Sequence, residues 1–172
     1  MKINLAKYGE ISLVSYVDLT DAEKLKILEV RNHPDIRKWM YNQEIISTPS
    51  HLNFIDSLKS SRTKQYFFVK KSEKWIGVLY FINIEPILSE AEFGLYANPF
   101  EITPGIGRIL EMASIQYAFE TLNLNKLKLE VFSDNKQVVN LHKKYHFEYV
   151  GEKVVGEKKV LCMELCKADR KI

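Results

Sequence analysis

The sequence predicts an α/β fold in which an antiparallel meander is followed by a βαβα half, so that the central sheet is mixed. Between residues 65 and 97, three runs rich in β-branched and aromatic side chains follow one another across short turns. Between residues 91 and 145, strand-like runs alternate with helical patterns, which is typical of parallel strands joined by a right-handed crossover. With 172 residues, 46% of them hydrophobic, the chain can bury one full core. We therefore expect a single domain over residues 1–172, with short polar ends around residues 10–167.

The first elements are marked by a strand pattern and a capping box. Residues 10–17 alternate between polar and apolar side chains, as a half-buried strand does. Thr20 and Glu23 have the spacing of a capping box. The helix that they open should run to about Arg31, because Pro34 disfavours helical backbone in the residue before it.

Two shorter helices are expected next. The first covers residues 36–40. For the second, Ser47 offers an N-cap and Pro49 a proline in the first turn. Its apolar side chains recur at helical spacing at Leu52, Ile55 and Leu58.

The meander and the long helix after it show different apolar periods. Strands are expected over residues 65–71, 75–84 and 91–97. The next helix should begin near Ile106 and end near Leu122. Its predicted buried face has i, i+3, i+4 spacing and consists of Ile106, Ile109, Leu110, Ala113 and Tyr117.

The last third should contain a strand, a helix and a closing hairpin, over residues 126–132, 135–144, 148–155 and 158–165. Cys162 and Cys166 lie four residues apart in the final strand, so both side chains should face one side of the sheet. We interpret them as small buried apolar residues, because two cysteines make neither a disulfide framework nor a four-ligand zinc site.

Charge and hydropathy exclude several classes of function. The formal net charge of +3 suits an anionic small molecule, and the basic residues are interleaved with acidic ones rather than gathered in a stripe for nucleic acid. No run approaches the roughly 18 apolar residues of a membrane span, and the first residues lack a secretory apolar region. We expect a cytoplasmic protein that binds neither nucleic acid nor a membrane. The oligomeric state stays open, with a homodimer as one option.

A glycine-rich turn leads directly into the long helix. It reads Thr-Pro-Gly-Ile-Gly-Arg over residues 103–108. Unpaired N–H groups in the first turn of a helix, the helix dipole and closely approachable glycine backbone together favour a phosphate group. The spacing fits neither the P-loop nor the dinucleotide-binding fingerprint. The alternative is a tight turn that needs glycine only for a positive φ.

Two motifs in residues 91–147 match one known pattern. The turn supplies both glycines of the loop motif [RQ]-x-x-G-x-[GA], and residues 135–147 supply the Asn, Leu and Phe of the helix motif N-x-x-A-x-x-L-Y-x-x-x-G-F. On these matches the chain resembles the Gcn5-related N-acetyltransferase superfamily. The resemblance implies that superfamily's fold, with the βαβα half binding acetyl-CoA.

Four positions depart from the superfamily's pattern. Ile102 stands in place of the usual Arg or Gln and Val138 in place of Ala, which leaves anion binding by backbone N–H groups unaffected. His146 replaces Gly. His142 stands where a Tyr is usual, and this substitution bears on the mechanism.

Further short sequence motifs are spread over nearly the whole chain. They are Glu29-Val-Arg31-Asn-His-Pro34, Trp39-Met40, His51-Leu-x-Phe54-Ile, Tyr66-Phe67, Gly77-Val and Phe93-Gly-Leu-Tyr96-x-Asn-Pro99. They are similar to the bacterial nucleotide-sugar N-acetyltransferases of pseudaminic-acid biosynthesis, a pathway that serves flagellin glycosylation. The similarity implies acetyl transfer from acetyl-CoA to the 4-amino group of UDP-4-amino-4,6-dideoxy-N-acetyl-β-L-altrosamine. It also implies direct attack in a ternary complex.

The resemblance assigns the donor site to three segments. The backbone N–H groups expected to hold the diphosphate belong to Gly105, Ile106, Gly107 and Arg108. Leu95 and Tyr96 match a bulge in the preceding strand, whose backbone would bind the acetyl group and pantetheine. Asn135 would hydrogen-bond the pantetheine arm, and it is also a good helix N-cap.

Two residues are candidates for proton transfer. His142 occupies the place of the superfamily's proton donor to the thiolate, and an imidazolium can donate such a proton. The alternative is a partly exposed helical histidine without a chemical role. Glu130 is the sole carboxylate in residues 127–132, so partial burial would suit it as a base acting through water. Its alternative is an ordinary solvent-facing strand residue.

The acceptor contacts are expected in the N-terminal third and on the central strands. The candidates for the diphosphate, the uracil and the sugar hydroxyls are Arg31, His33, His51 and Tyr96. Met40 and Tyr80, with Trp39, would form an apolar wall for the 6-deoxy methyl group. The alternatives are structural: cations favoured by a helix C-terminus, and ordinary core packing.

A metal site, other acceptors and a non-catalytic role are the alternatives to this chemistry. His142 and His146 form H-x-x-x-H, but no glutamate follows His142 and no third ligand is evident, so we expect no metal. Acetylation of a peptide N-terminus or a small polyamine is the rival within enzymes, and it would need an acidic acceptor cleft. A non-catalytic CoA-binding domain is the rival outside them.

Overall fold

One eight-stranded sheet forms the centre of the computed structural model, which describes residues 1–170. The last two residues of the predicted domain lie outside the described residues. The strand order is β1-β2-β3-β4-β5-β6-β8-β7. The strands are β1 (Lys2–Leu5), β2 (Gly9–Ser15), β3 (Gln65–Lys71), β4 (Lys74–Glu85), β5 (Glu90–Ala97), β6 (Lys126–Phe132), β7 (Glu148–Val155) and β8 (Lys158–Cys166).

The sheet is mixed, as predicted. Strands β2 to β5 form the antiparallel meander, and β5 and β6 are parallel. The remaining neighbours are antiparallel. The parallel pair is joined by a helix, as the βαβα pattern predicts.

Helices cover both faces of the sheet. They are α1 (Asp21–Asn32), α2 (Pro34–Arg37), α3 (Thr48–Leu58), α4 (Ile106–Gln116) and α5 (Lys136–Lys144). One core packs α4 against Phe81, Phe93 and Leu127. A second core, on the opposite face, packs α1 and α3 against Phe68 and Val78. The helix that joins the parallel strands and the N-terminal helices therefore lie on opposite faces of the sheet.

The predicted caps are confirmed. The Thr20 hydroxyl accepts a hydrogen bond from the Glu23 N–H at 3.3 Å, and the Glu23 carboxylate accepts one from the Thr20 N–H at 2.9 Å. The Ser47 hydroxyl accepts from the Ser50 N–H at the start of α3. The bounds predicted for α2 are wrong, because Pro34 begins that helix, with His33 as its cap, and the helix ends at Arg37.

Two further features differ from expectation. Residues 2–5, predicted to be a polar end, form β1, whose Ile3 and Leu5 are buried against the core. The cysteines are not buried core residues: Cys166 is exposed and Cys162 is half-buried, because both lie on the face of β8 opposite to the buried Met163 and Leu165. Within residues 1–170, none of the helices combines the length and the apolar character needed to cross a bilayer.

Candidate active site

The parallel strands β5 and β6 separate halfway along their length. Their pairing covers only Glu90 to Glu92 opposite Lys126 to Lys128, although β5 continues to Ala97 and β6 to Phe132. The Asn98 N–H bonds to the Ile76 carbonyl on the β4 side. Because backbone direction alternates along a strand, the N–H and C=O of Leu95 then point into the gap. The carboxyl ends of these strands thus open a crevice lined by unpaired backbone.

The bulge expected at Leu95 and Tyr96 is absent. The register between β4 and β5 is continuous there, with Leu79 opposite Leu95 and Val78 opposite Tyr96, and the irregularity lies farther back, between Ile82 and Glu85. The separation of β5 from β6 frees the backbone instead. By the same alternation, the backbone of Tyr96 faces β4, so this residue can offer the gap only its side chain.

The glycine turn opens α4 as predicted. Gly105 is the N-cap residue and has the left-handed conformation, with φ 76°. Because glycine has no side chain, it supplies no capping hydrogen bond. The Ile106 N–H is directed at the Thr103 carbonyl at 3.3 Å, which commits it to the turn. The N–H groups of Gly107 and Arg108 follow in the first helical turn and are the ones best placed to meet an anion.

Gly107 allows a close contact between two helices. A Cβ atom there would lie 3.3 Å from Cδ2 of Leu141 on α5, tighter than ordinary packing, so the leucine side chain would have to shift by a few tenths of an ångström. The missing side chain lets the start of α4 approach α5. The two helices therefore flank the crevice closely, with no side chain blocking the backbone between them.

Asn135 lies at the N-cap position of α5, but its side chain makes no capping bond. Its carbonyl accepts from the Val139 N–H at 3.0 Å, which starts the helix without the side chain. The predicted capping role is therefore wrong, and the amide group is left for the crevice.

The ends of β5 and β6, the glycine turn and the first turns of α4 and α5 line a cavity of about 740 Å³, which we call the donor cavity. Both candidates for proton transfer, His142 and Glu130, also line it. Its lining includes every residue predicted to bind the donor, namely Leu95, Tyr96, Gly105, Ile106, Gly107, Arg108 and Asn135. A positive-φ glycine, unpaired strand backbone and a free amide together fit a long diphosphate-bearing thioester such as acetyl-CoA.

His142 is buried and paired rather than partly exposed. Its Nδ1 lies 2.9 Å from Oε1 of Glu111, and both side chains are almost wholly removed from solvent. Sequence reasoning missed Glu111. Position 111 lies outside the predicted buried face of α4, so no local signal was available.

Glu130 lies at the edge of the donor cavity with two partners. The Tyr41 hydroxyl donates to it, and Nζ of Lys153 lies 2.6 Å from its Oε1. Burial, reinforced by the hydrogen bond from Tyr41 to Glu130, raises the pKa of the Tyr41 phenol. Glu130 is therefore held by two side chains rather than being a free surface residue.

A second carboxylate, Glu92 on β5, was not predicted. Burial raises its pKa above the ordinary value, and the charge of Glu130 adds to the shift. Asn83 donates to its Oε2 at 3.4 Å, which opposes the shift. The period of two in strands β5 and β6 was the available signal, because it puts Glu92 and Glu130 on one face of the sheet.

A second cavity of about 380 Å³ adjoins the first, and we call it the acceptor cavity. The residues that line both cavities include Met40, Tyr41, Tyr80, Tyr96 and Glu130. Tyr80 stacks on Tyr66 with ring centroids 4.9 Å apart. Its hydroxyl covers Gly94, where a Cβ atom would meet it at 2.2 Å. The junction is therefore walled by aromatic rings and carries one carboxylate.

Arg31 reaches the acceptor cavity from α1. Its Nη2 donates to the Asn42 carbonyl at 3.0 Å, whereas its Nη1 is buried and has no partner among residues 1–170. A buried N–H of a guanidinium group without a partner is costly, and a bound anion would supply one. This is the clearest signal for a ligand in the acceptor cavity.

The two remaining histidines differ in position. His51 lines the acceptor cavity but is buried, with its Nε2 2.8 Å from the Lys24 carbonyl, and burial lowers its pKa. His33 lines neither cavity. Its Nδ1 accepts from the Asp35 N–H at 3.2 Å, and its ring packs edge-on against Phe100. The site therefore gathers His51 with Arg31, while His33 is occupied in capping α2.

Comparisons with known proteins identify the family to which this fold belongs. The model of the acetyltransferase (GNAT) domain matches residues 13–148. Acetyltransferase PseH of Campylobacter jejuni subsp. jejuni serotype O:23/36 (strain 81-176) is 39% identical over 142 residues, covering 83% of this chain and 87% of the relative.

Two solved structures are also similar. Campylobacter jejuni N-acetyltransferase PseH in complex with acetyl coenzyme A superposes with a TM-score of 0.74 at 31% identity, covering 91% of this chain and 99% of that one. Spermidine N-acetyltransferase from Vibrio cholerae in complex with CoA and spermine gives a TM-score of 0.83 at 21% identity, covering 92% and 96%. At that identity the likeness is one of fold.

Proposed function

The chain belongs to the GNAT acetyltransferase family and is an acetyl-CoA-dependent N-acetyltransferase, and from that premise we propose that its acceptor is the 4-amino group of a UDP-linked 4-amino-4,6-dideoxy sugar. The relative PseH and the motifs around Arg31 and His51 support the pseudaminic-acid pathway and UDP-4-amino-4,6-dideoxy-N-acetyl-β-L-altrosamine as substrate. The observation that carries the proposal is the unpartnered Nη1 of Arg31 in a cavity that opens onto the donor cavity.

The donor would lie along the crevice between β5 and β6. The N–H groups of Gly107 and Arg108 would meet its diphosphate at the start of α4, where the helix dipole also favours anions. The backbone of Leu95 and the amide of Asn135 would hydrogen-bond the pantetheine arm and the acetyl group. This arrangement brings the thioester to the junction with the acceptor cavity.

The charges of the acceptor cavity favour a nucleotide sugar over a polyamine. Arg31 offers a cation with a free donor, which suits a diphosphate. Of the two carboxylates, Glu130 is already neutralised by Lys153, and burial disfavours the charged form of Glu92. A polycation would therefore meet one buried guanidinium group and little free negative charge.

Acetyl transfer would proceed by direct attack. The amine nitrogen bonds to the thioester carbonyl carbon, its proton passes to Glu130 directly or through water, and the C–S bond breaks. The proton that completes the CoA thiol would come from His142, which lines the donor cavity. The fixed ring of Tyr80 and the side chain of Met40 would pack against the 6-deoxy methyl group.

The proposal is tested by measuring thiol release from acetyl-CoA with a panel of acceptors. The panel holds UDP-4-amino-4,6-dideoxy sugars, peptides with free N-termini, and spermidine. We expect turnover with the UDP-4-amino sugars at a kcat/KM at least about 100-fold above the other classes. Preferential turnover of spermidine or of a peptide would contradict the assignment, and a failure to consume acetyl-CoA with any of the amines would point to a non-catalytic CoA-binding domain.

A further inference from the structure

Helix α4 buries one ionisable residue, Glu111, and one hydroxyl group, that of Ser114. Glu111 is 0% exposed and lies beside Leu110 and Ala113, which are equally buried. Its Oε1 pairs with Nδ1 of His142 at 2.9 Å. Its Oε2 is buried and has no hydrogen-bond partner among residues 1–170.

Packing does not explain this glutamate. A buried carboxylate loses its hydration, and a single partner with one oxygen left unsatisfied compensates poorly. Leucine would fill a helix–helix contact of this kind without that cost. A glutamate kept here is therefore better explained by what it does to His142 than by stability.

The pair also fixes the imidazole ring of His142. Because Nδ1 is directed at Glu111, the nitrogen that can face the donor cavity is Nε2. Phe93 and Phe147 hold the ring from the sides, with centroids at 5.9 and 5.7 Å and edge-on geometry. The ring can therefore neither flip nor rotate without losing the contact with Glu111.

We propose, on the basis of the proposed function, that Glu111 is a positioning residue that keeps His142 protonated on both nitrogens. The Nε2–H of His142 is then directed into the donor cavity, where it protonates the CoA thiolate. The negative carboxylate and the positive imidazolium form a neutral pair, which permits a charged ring in a buried place. As the C–S bond breaks, its electron pair goes to sulfur and the Nε2 proton follows. His142 is left neutral with Nδ1–H on Glu111, and a proton from solvent restores it.

Three other ionisable groups lie near this pair. Burial raises the pKa of the Tyr145 phenol, the charges of Tyr8 and Glu111 add to the rise, and Arg108 opposes it. Tyr8 also lies 3.8 Å from the Cβ position of Gly105. Arg108 is exposed, so Glu111 is the buried counter-charge to the imidazolium.

The proposal is tested by a double-mutant cycle with Glu111→Gln, His142→Phe and the double variant, using acetyl-CoA and the best acceptor of the panel. Gln matches the shape of Glu but lacks its charge. We expect Glu111→Gln to lower kcat at least tenfold and His142→Phe about 100-fold, with the KM for acetyl-CoA within about twofold. In the His142→Phe background, Glu111→Gln should change kcat by less than about twofold. Ser114→Ala is the matched control, since Ser114 is buried on α4 but bonds the Leu110 carbonyl.

The outcomes separate this proposal from the proposed function. Equal losses from Glu111→Gln in both backgrounds would indicate a structural role and overturn it, as would a His142→Phe variant within about threefold of the parent. Absence of turnover on every 4-amino sugar would contradict the proposed function instead. Histidine ¹⁵N NMR then still applies without substrate: both His142 nitrogens should carry protons in the parent protein at neutral pH and one in Glu111→Gln, and identical spectra would overturn the proposal.

Discussion

Two carboxylates, Glu92 and Glu130, line the acceptor cavity, and their surroundings differ. Lys153 and Tyr41 hold Glu130, whereas Glu92 has one weak donor, Asn83. A base must reach the amine from a fixed position. Glu130 meets both conditions, because it lines both cavities and is held by Lys153 and Tyr41.

This assignment predicts unequal losses from two isosteric substitutions. Glu130→Gln removes the base, so kcat should fall roughly 100-fold. Glu92→Gln is the matched control on the same face of the sheet and should cost less than about threefold. Steady-state kinetics of both variants decide the matter. A greater loss from Glu92→Gln would assign the base to Glu92.

Glu92 has a separate consequence for stability. The pKa of Glu92 is raised in the folded protein, so folding favours the protonated carboxyl group. The free energy that this preference adds to stability is fully present below the ordinary glutamate pKa and is lost as the pH rises through the folded-state pKa. Glu92→Gln should therefore gain stability relative to the parent as the pH rises from 4 to 8. Urea unfolding at both pH values measures this. A relative loss at pH 8 would mean that the ionised carboxylate is stabilising.

Arg31 should determine acceptor affinity without affecting the donor. Arg31→Ala removes the charge-assisted contacts to the diphosphate, and the KM for the UDP-amino sugar should rise about 10- to 100-fold. Arg31→Lys should give an intermediate value, because it keeps the charge and loses the planar fork. The KM for acetyl-CoA should stay within about twofold in both variants. A parallel rise in both KM values would indicate a general collapse of the site.

At the scale of single residues, the sequence predicted the functional residues that belong to recognisable motifs. The residues assigned to the donor line one cavity because a glycine turn, a strand end and a helix start are fixed by local pattern. Glu111 and Glu92 were missed because their significance depends on tertiary partners, His142 and Glu130, that no local pattern specifies. Arg31 was named, but its unpartnered Nη1 depends on how α1 meets the loop at Asn42.

At the scale of secondary-structure elements, local sequence patterns predicted most helices and strands. The capping box of Thr20 and Glu23 and the apolar period of α4 were sufficient by themselves. Strand β1 was missed because four residues, Lys2–Leu5, show too short an alternation, and pairing with β2 stabilises them. The expected bulge at Leu95 was wrong because strand separation, a tertiary effect, frees the same backbone.

The end of α5 offers a test of backbone strain. His146 has φ 67°, the left-handed conformation that favours glycine, and its side chain is exposed. His146→Gly should remove about 1 kcal/mol of strain, partly offset by the entropy of glycine. We expect the Tm to rise by about 2 °C, measured by calorimetry. A fall in Tm would mean that the imidazole makes a stabilising contact.

At the scale of the whole molecule, one sheet organises the site. The separation of β5 and β6 opens the donor cavity, and helices α1 and α3 line the acceptor cavity over the same sheet. Tyr80 and Tyr96 line both cavities. On the proposed function, donor and acceptor would therefore meet at these two aromatic rings.

The central claim is that acetyl-CoA lies along this crevice with its diphosphate at the start of α4. A crystal structure with bound acetyl-CoA measures it most directly. The account predicts diphosphate oxygens within hydrogen-bond distance of the Gly107 and Arg108 N–H groups, and the thioester between Leu95 and His142. A donor bound elsewhere, or a crevice left empty at saturating acetyl-CoA, would contradict it.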